Sequence, residues 1–449
     1  MSVPNKIASF LNKSEKDADI TMLLDLQRET FDFFLKEVNP HTGLIIDKTQ
    51  PGSPSSIAVV GMAISSYVVG VERHLLPKAD AIKRILKILH FFYTSHQGEE
   101  PDASGYKGFY YHFLDMHTGK RAWESELSTI DTAILMAGIL SASCYFNGAS
   151  DEENEIRRLA DFLYTRVDWQ WALNGGNTIT HGWKPECGFL RYRWATGYNE
   201  AHILYILAMA SPTFPIDPTG YHEWTSTFEL KTAYGRDYIY AGPLFIHQFS
   251  HLWIDFRGIQ DDVMRKAGFD YFENSRRATC IHREYAIENP KGFSHYGPNN
   301  WGFTASDGPG NSILDIDGKT RVFYDYIARG APFGPDDGTI APWGVVASLP
   351  FAPGEVVDTI HHAIERLNLK HHRLYGFDAS FNPTYPEKTT NVNGWVSHWQ
   401  FGLNQGPIVM MIENYHTELI WKIMRNCPHI IEGLRKAGFS GGWLDAVKK

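Results

Sequence analysis

The chain has 449 residues, a net charge of −9, 43% hydrophobic and 21% charged residues, and 14% aromatic side chains. It is too apolar and too aromatic to stay disordered, and its acidic balance argues against nucleic acid, whose phosphates must be met by Lys and Arg. No run approaches the roughly 18 apolar residues of a membrane helix, while the length alone would permit about three domains.

The first residues, Met1 to Ile20, carry no apolar core and no small-residue cleavage site, so they do not read as a secretory signal. Cys144, Cys187, Cys280 and Cys427 are widely spaced with no C-x-x-C pair. That spacing fits free thiols in a reducing, cytoplasmic setting.

Helical periodicity then dominates in chain order. It predicts helices over 20–37, 57–72, 78–95, 128–146, 151–165, 200–210, 218–229, 243–256, 258–276, 339–349, 353–368, 406–425 and 428–438. Alternating β-branched runs are nearly absent. Between the helices lie long segments, 97–126, 166–198, 280–338 and 370–404, rich in Gly, Pro, Asn and aromatics. They are too long for plain connectors and too aromatic for linkers, which points to function. No repeat and no composition break divides the chain. The expectation is therefore one all-α domain over 1–449, with 1–19 as an N-terminal extension. Helices on this count suggest a double ring, six inner and six outer, with the aromatic loops gathered at one end.

Five constellations could carry chemistry. In Glu124-Ser-Glu126-Leu-Ser-Thr-Ile-Asp131, Asp131 falls on the same helical face as Leu127, Ile134 and Gly138, where a carboxylate must be bonded or useful. Ser128 three residues earlier also makes it a capping-box-like helix start. In Trp194-Ala-Thr-Gly-Tyr198-Asn-Glu200, Glu200 aligns with Ile203, Leu204 and Leu207. Burial there would raise its pKa, as a general acid needs, whereas the helix N-terminus would lower it. His247, His251 and Asp255 recur every four residues and could chelate zinc, although no Glu separates the histidines as in the metalloprotease pattern. Asp307 and Asp337 each begin an Asp-Gly pair, first of all a turn signal, beside Trp301 and other aromatics. Finally, Asn404 and Glu413 sit in an apolar stretch around Pro407 that should form a buried helix, in which Glu413 must be paired or used.

No nucleophile elbow, P-loop or Rossmann fingerprint is present. Carboxylates, Trp and Tyr, scattered Asn, Gln and His, and little positive charge are what a sugar site requires. Glycoside hydrolysis needs only two placed carboxyl groups.

Several strings carry a resemblance. They are Leu127-Ser-Thr-Ile-Asp-Thr-Ala, Gly197-Tyr-Asn-Glu200, His247-Gln-Phe-Ser-His-Leu-Trp-Ile-Asp-Phe-Arg257, Tyr271-Phe-Glu-Asn-Ser275, Trp301-Gly-Phe-Thr-Ala-Ser-Asp307-Gly, Asp337-Gly-Thr-Ile-Ala-Pro342, Gln405-Gly-Pro and Met411-Ile-Glu-Asn-Tyr415. In this order, from about residue 20 to 425, the chain resembles the glucoamylase-like family, which includes the bacterial β-1,2-glucanases of glycoside hydrolase family 144. The resemblance implies an (α/α)6 barrel and an anomer-inverting hydrolase of β-1,2-glucan or its oligosaccharides, without a metal or other cofactor. It also implies Glu200 as general acid, with Asp131 and the loop acids in the cleft. Two departures stand out. The family pattern Gly-Ile-Asp-Gln-Gly-Pro here reads Gly402-Leu-Asn404-Gln-Gly-Pro407, and an Asn cannot act as a base. The stretch from Asn311 to Arg329 is unlike the family.

The expectation is thus Glu200 as acid, with Asp131 or Asp307 assisting water. Trp194, Tyr198, Trp253 and Trp301 would be stacking walls. Glu126, His247, Arg257, Asp337, Asn404 and Glu413 would contact the sugar. The partner is a carbohydrate, with no nucleic acid and no membrane. A non-hydrolytic sugar-binding protein, a transglycosylase or phosphorylase on the same scaffold, and a His247–His251–Asp255 metal hydrolase are the competing readings.

Overall fold

The computed structural model describes residues 3–370, 374–387 and 393–447. The chain is mostly helical, and its helices fall into two burial classes. Ile57–Glu72, Thr129–Tyr145, His202–Ala210, Pro342–Val346 and Gly402–His416 are buried nearly all round. Lys78–Thr94, Asp151–Thr165, Pro353–Glu365 and Pro428–Lys436 bury one stripe only. A helix that is apolar all round must be enclosed, and an amphipathic one must cover it. Because the two classes alternate along most of the chain, they build an enclosed layer and a covering layer. A connected hydrophobic core runs from Leu23 to Leu444.

Small residues let the enclosed helices approach closely. A Cβ on Gly138 would stand 2.0 Å from the Gly61 carbonyl oxygen, so Ile57–Glu72 and Thr129–Tyr145 touch backbone to backbone there. One turn further on, the Ser65 and Ser141 hydroxyls meet at 2.8 Å, and Trp253 Nε1 donates to Ser65 Oγ at 2.9 Å.

Helix boundaries agree with the periodic pattern where caps are strong. Ser128 and Ser150 each accept a hydrogen bond from the backbone N–H three residues on. Four stretches differ. The helix expected over 20–37 begins at Val3, so the expected N-terminal extension is largely its first turns. The stretch 243–256 is not a helix but two 3₁₀ turns, Leu244–His247 and Phe249–Leu252. The stretch 258–276 breaks at Gly268, which is left-handed, and a new helix Tyr271–Glu288 runs into a region expected to be loop. The stretch 406–425 breaks at Glu418, φ 59°, into Gly402–His416 and Leu419–Met424.

The long loops are ordered by short antiparallel pairings. Ile46 bridges Ser55, and Ser55 and Ser56 pair with Leu114 and Phe113. Tyr111 bridges Leu127, and Leu127 and Ser128 pair with Trp183 and Gly182. On the other side Lys48 bridges Phe401. These segments form a rim across the N-terminal ends of helices Ile57–Glu72, Thr129–Tyr145 and Gly402–His416. No helix among the described residues is long and apolar enough to cross a membrane.

Candidate active site

The rim carries acids. Asp131 lies in the first turn of Thr129–Tyr145. Ser128 Oγ accepts its N–H at 3.2 Å and donates to its Oδ2 at 2.5 Å. The cap expected from sequence is therefore present, and it also restrains the carboxylate. His112, on the neighbouring rim segment, brings Nε2 to 3.6 Å from the same oxygen and Nδ1 to 3.1 Å from Glu126 Oε1. Its ring stacks flat on Phe113 with centroids 4.0 Å apart. Burial alone would lower the His112 pKa. The charge of Asp131, the Glu126 hydrogen bond and the charges of Glu126 and Asp47 outweigh it and push it up to about 9. His112 is therefore an imidazolium clamped between two carboxylates. In turn it holds Glu126 low against the opposing effect of burial.

Glu200 stands just before helix His202–Ala210 rather than within it, so the helical alignment with Ile203 and Leu204 does not place it. Its backbone does: Ser250 Oγ donates to the Glu200 carbonyl at 2.9 Å and accepts the Ile203 N–H at 3.2 Å. Burial pushes its carboxyl up to about 7; its own backbone N–H works against this and the charge of Asp131 works with it. Glu200 thus holds a proton near neutrality.

Asp47 completes the group. Its N–H donates to Pro54 O at 2.8 Å, and its carbonyl accepts the Gly402 N–H at 2.7 Å. Burial pushes its carboxyl up to about 6, with His112 and Lys48 lowering it and Asp131 raising it. Asp307 faces the same space from another loop, accepting Ser397 Oγ at 2.9 Å. Burial raises it, with Ser397 and Lys48 opposing. Tyr326 lies between Asp47 and Asp307, and its ring sits 5.8 Å from that of Phe401.

Exposed rings flank this group of acids, which marks the cleft. Trp123 is 60% exposed and rests on Phe113, which stacks on His112; Tyr192 is 57% exposed and packs against His181. His181 in turn stacks on Trp194 at 4.0 Å. All belong to the long loops singled out by composition.

Most of the expected sugar contacts lie elsewhere. Trp253 and Trp301 are fully enclosed, each indole N–H bonded inside the protein, to Ser65 and Thr359. Trp194 is nearly enclosed and bonds Thr129 Oγ1 at 3.0 Å. Tyr198 is packed in an aromatic cluster with Tyr271, His202, Phe228 and His247. A large ring with one polar atom is well served by a core position that supplies a partner, so these rings pack the protein and offer no face for stacking. His247 is fully buried, between the Ala241 carbonyl at 3.3 Å and Asn274 at 3.4 Å.

His247, His251 and Asp255 do not converge as a metal site, because the turns between them are 3₁₀ and not α. His251 bonds Ser275, and Asp255 is held by Arg257 and Arg425. Arg257 also binds Glu418 at 2.9 Å. Glu418 follows helix Gly402–His416, which puts Arg257 about 20 Å along it from Asn404. Glu413 is enclosed near that same far end, held by Arg73 at 2.6 Å, Gln27 at 3.1 Å and Thr417 at 2.6 Å. Asp337 makes a two-pronged, fully buried pair with Arg329 at 2.7 and 2.8 Å. Arg329 also donates to the carbonyls of Ser306, Tyr324 and Asp325, so the pair fastens the loops that carry Asp307 and Tyr326. Asn404 is buried in the first turn of Gly402–His416, at the cleft end.

Sequence reasoning missed Asp47, His112, Trp123, Tyr192 and Tyr326. Four of them lie in the aromatic loops it had marked. Asp47 had only its place beside a Pro/Gly/Ser turn as a signal.

Among the described residues, one group brings three candidate metal-ligand atoms together: His112, Glu126 and Asp131, within 4.8 Å of one another. A charged histidine between two acids accounts for that closeness.

Comparison with known proteins bears on the family and the fold. The Glycoamylase family model matches residues 191–428, just over half of the chain. An exo β-1,2-glucooligosaccharide sophorohydrolase of Parabacteroides distasonis is 30% identical over 92% of this chain, which spans 57% of that relative's length. The endo-β-1,2-glucanase of Chitinophaga pinensis, solved with sophorotriose and glucose, superposes with a TM-score of 0.82 at 27% identity, over 95% of this chain and 99% of that one. A Talaromyces funiculosus endo-β-1,2-glucanase shares the fold at TM-score 0.64 and 13% identity, over 97% of this chain and 91% of that one. On the extent of the family match, the chain belongs to the glucoamylase-like family that the sequence motifs resemble.

Proposed function

We propose that this chain is a glycoside hydrolase of β-1,2-glucan or its oligosaccharides, working with inversion in the cleft of a single-domain (α/α)6 barrel. The observation that carries the reading is Glu200, a carboxyl that keeps its proton up to about 7 in an acid-lined, aromatic-flanked cleft. Relatives named as β-1,2-glucan hydrolases support the linkage.

Glu200 gives its proton to the glycosidic oxygen as the C1–O bond breaks. A second cleft carboxylate takes a proton from the attacking water, which adds to C1 from the opposite face. Asp131, restrained by Ser128 and His112, sets the negative potential that favours a protonated Glu200. Asp307 and Glu126 meet sugar hydroxyls, and Trp123 and Tyr192 offer apolar faces to the ring C–H surfaces. The thiols are free, which suits a cytoplasmic enzyme acting on oligosaccharides.

The test is reducing-sugar release from β-1,2-glucan by Glu200→Gln. We expect loss of release with unchanged thermal unfolding; near wild-type release would end the assignment. A binding-only reading is favoured by one feature, an amide, Asn404, in place of a carboxylate at the cleft end of helix Gly402–His416. Calorimetric binding of sophoro-oligosaccharides by the wild type, with no product after long incubation, would select it.

A further inference from the structure

If the chain is a hydrolase, a base is needed, and Asn404 has no carboxylate. Asp47 stands beside that position. Its carbonyl accepts the N–H of Gly402, two residues before Asn404, and the next residue, Lys48, bridges Phe401. The following residue repeats the link, with Thr49 N–H on Gln400 O at 2.9 Å and Gln400 N–H on Thr49 Oγ1 at 3.0 Å. The Asp47 segment is therefore stitched to the N-terminal end of the helix that carries Asn404.

The other cleft acids are less available. Asp131 already takes the Ser128 hydroxyl and faces His112. Asp307 takes the Ser397 hydroxyl, and the charges acting on it are Lys48 and Asp325, not those around Glu200. Glu126 is bonded to His112. By contrast Asp47 and Glu200 both border Asp131, each feeling its charge.

We propose that Asp47 is the catalytic base, its carboxylate supplied from the N-terminal rim beside the helix end that carries Asn404. This deepens the hydrolase reading and rests on it. The water O–H bond breaks and its proton goes to the Asp47 carboxylate. The water oxygen bonds C1, the C1–O bond breaks, and the leaving oxygen takes the proton of Glu200. The charges that face Asp47 are His112 from the 111–114 segment, Asp131 from helix Thr129–Tyr145 and its neighbour Lys48, with the neutral Tyr326 hydroxyl nearby. A base there works once deprotonated, so activity should rise as pH passes about 6.

The experiment compares wild type, Asp47→Ala, Asp47→Asn and Glu200→Gln on β-1,2-glucan, with and without sodium azide. The fixed hydrogen bonds of Asp47 run through its main chain, so both variants should fold, which thermal melts check. We expect Asp47→Ala and Asp47→Asn to lose about 10²- to 10⁴-fold in kcat with KM little changed. Azide should restore turnover in Asp47→Ala and give α-glucosyl azide, because azide attacks C1 with no proton to lose while Glu200 still protonates the leaving oxygen. Glu200→Gln should not be rescued. Near wild-type kcat in Asp47→Ala, or a loss without azide rescue, overturns Asp47 as the base while leaving the hydrolase reading intact. A wild type that releases no sugar overturns both.

Discussion

Acids at the two ends of helix Gly402–His416 are treated in opposite ways. At the far end Glu413 meets Arg73, and Asp255 meets Arg257 and Arg425. At the cleft end Asp47, Asp131, Glu200 and Asp307 form no ion pair with an arginine among the described residues; the cation that touches one of them is His112, which titrates. An arginine holds a carboxylate charged and fixed, which suits a structural tie. A carboxyl drawn out of water without one, as in Asp47, Glu200 and Asp307, keeps its proton to higher pH, which suits proton transfer. Residue type does not separate the two sets. Their partners do.

Breaking the unpaired set should have the largest effect on turnover. Glu200→Gln should lower kcat by about 10²- to 10⁴-fold or more, read by reducing-sugar assay, without moving the melting temperature. An acid tied to an arginine should answer in the reverse sense, and the fully buried pair outside that helix is Asp337 with Arg329. Asp337→Ala leaves the buried Arg329 guanidinium unpaired and should cost about 3–5 kcal/mol of stability in denaturant unfolding. Its activity should fall only as the loop with Asp307 loosens.

His112 sharpens the contrast, because it is the cation of the cleft end. His112→Gln should cut kcat by about tenfold and shift the alkaline limb of the pH–rate profile, since Asp131 loses the charge that balances it. It also makes a stability prediction. Its folded pKa is raised to about 9 from 6.5, so its contribution is full below pH 6.5 and is lost as pH rises through about 9. Wild type should therefore lose melting temperature more steeply than His112→Gln across that window. The smallest effect belongs to the rim: Trp123→Ala removes an exposed ring and should raise KM by about fivefold, roughly 1 kcal/mol, with kcat little changed.

Much of the helical layer was legible in the sequence because its caps and stripes are local. Ser128 and Ser150 start their helices at the expected places, and Ile57–Glu72 matches its apolar run end to end. The failures came where periodicity continues through a turn. His247 and His251 keep an apparent four-residue spacing across two 3₁₀ turns, which points them at different partners. The site was legible in part. Glu200 and Asp131 were reachable from burial arguments. Trp253 and Trp301 were not separable from platform aromatics, because enclosure depends on contacts distant in sequence, to Ser65 and Thr359. Asp47 and His112 come together only through the rim pairings, and no local pattern encodes those.

The central claim is that Glu200 holds its proton near neutrality. Carbon-13 NMR of side-chain-labelled glutamate, with Glu200→Gln used to assign the signal, measures this directly. The expected titration midpoint for Glu200 is about 7. A midpoint at the ordinary glutamate value, near 4.5, would contradict it.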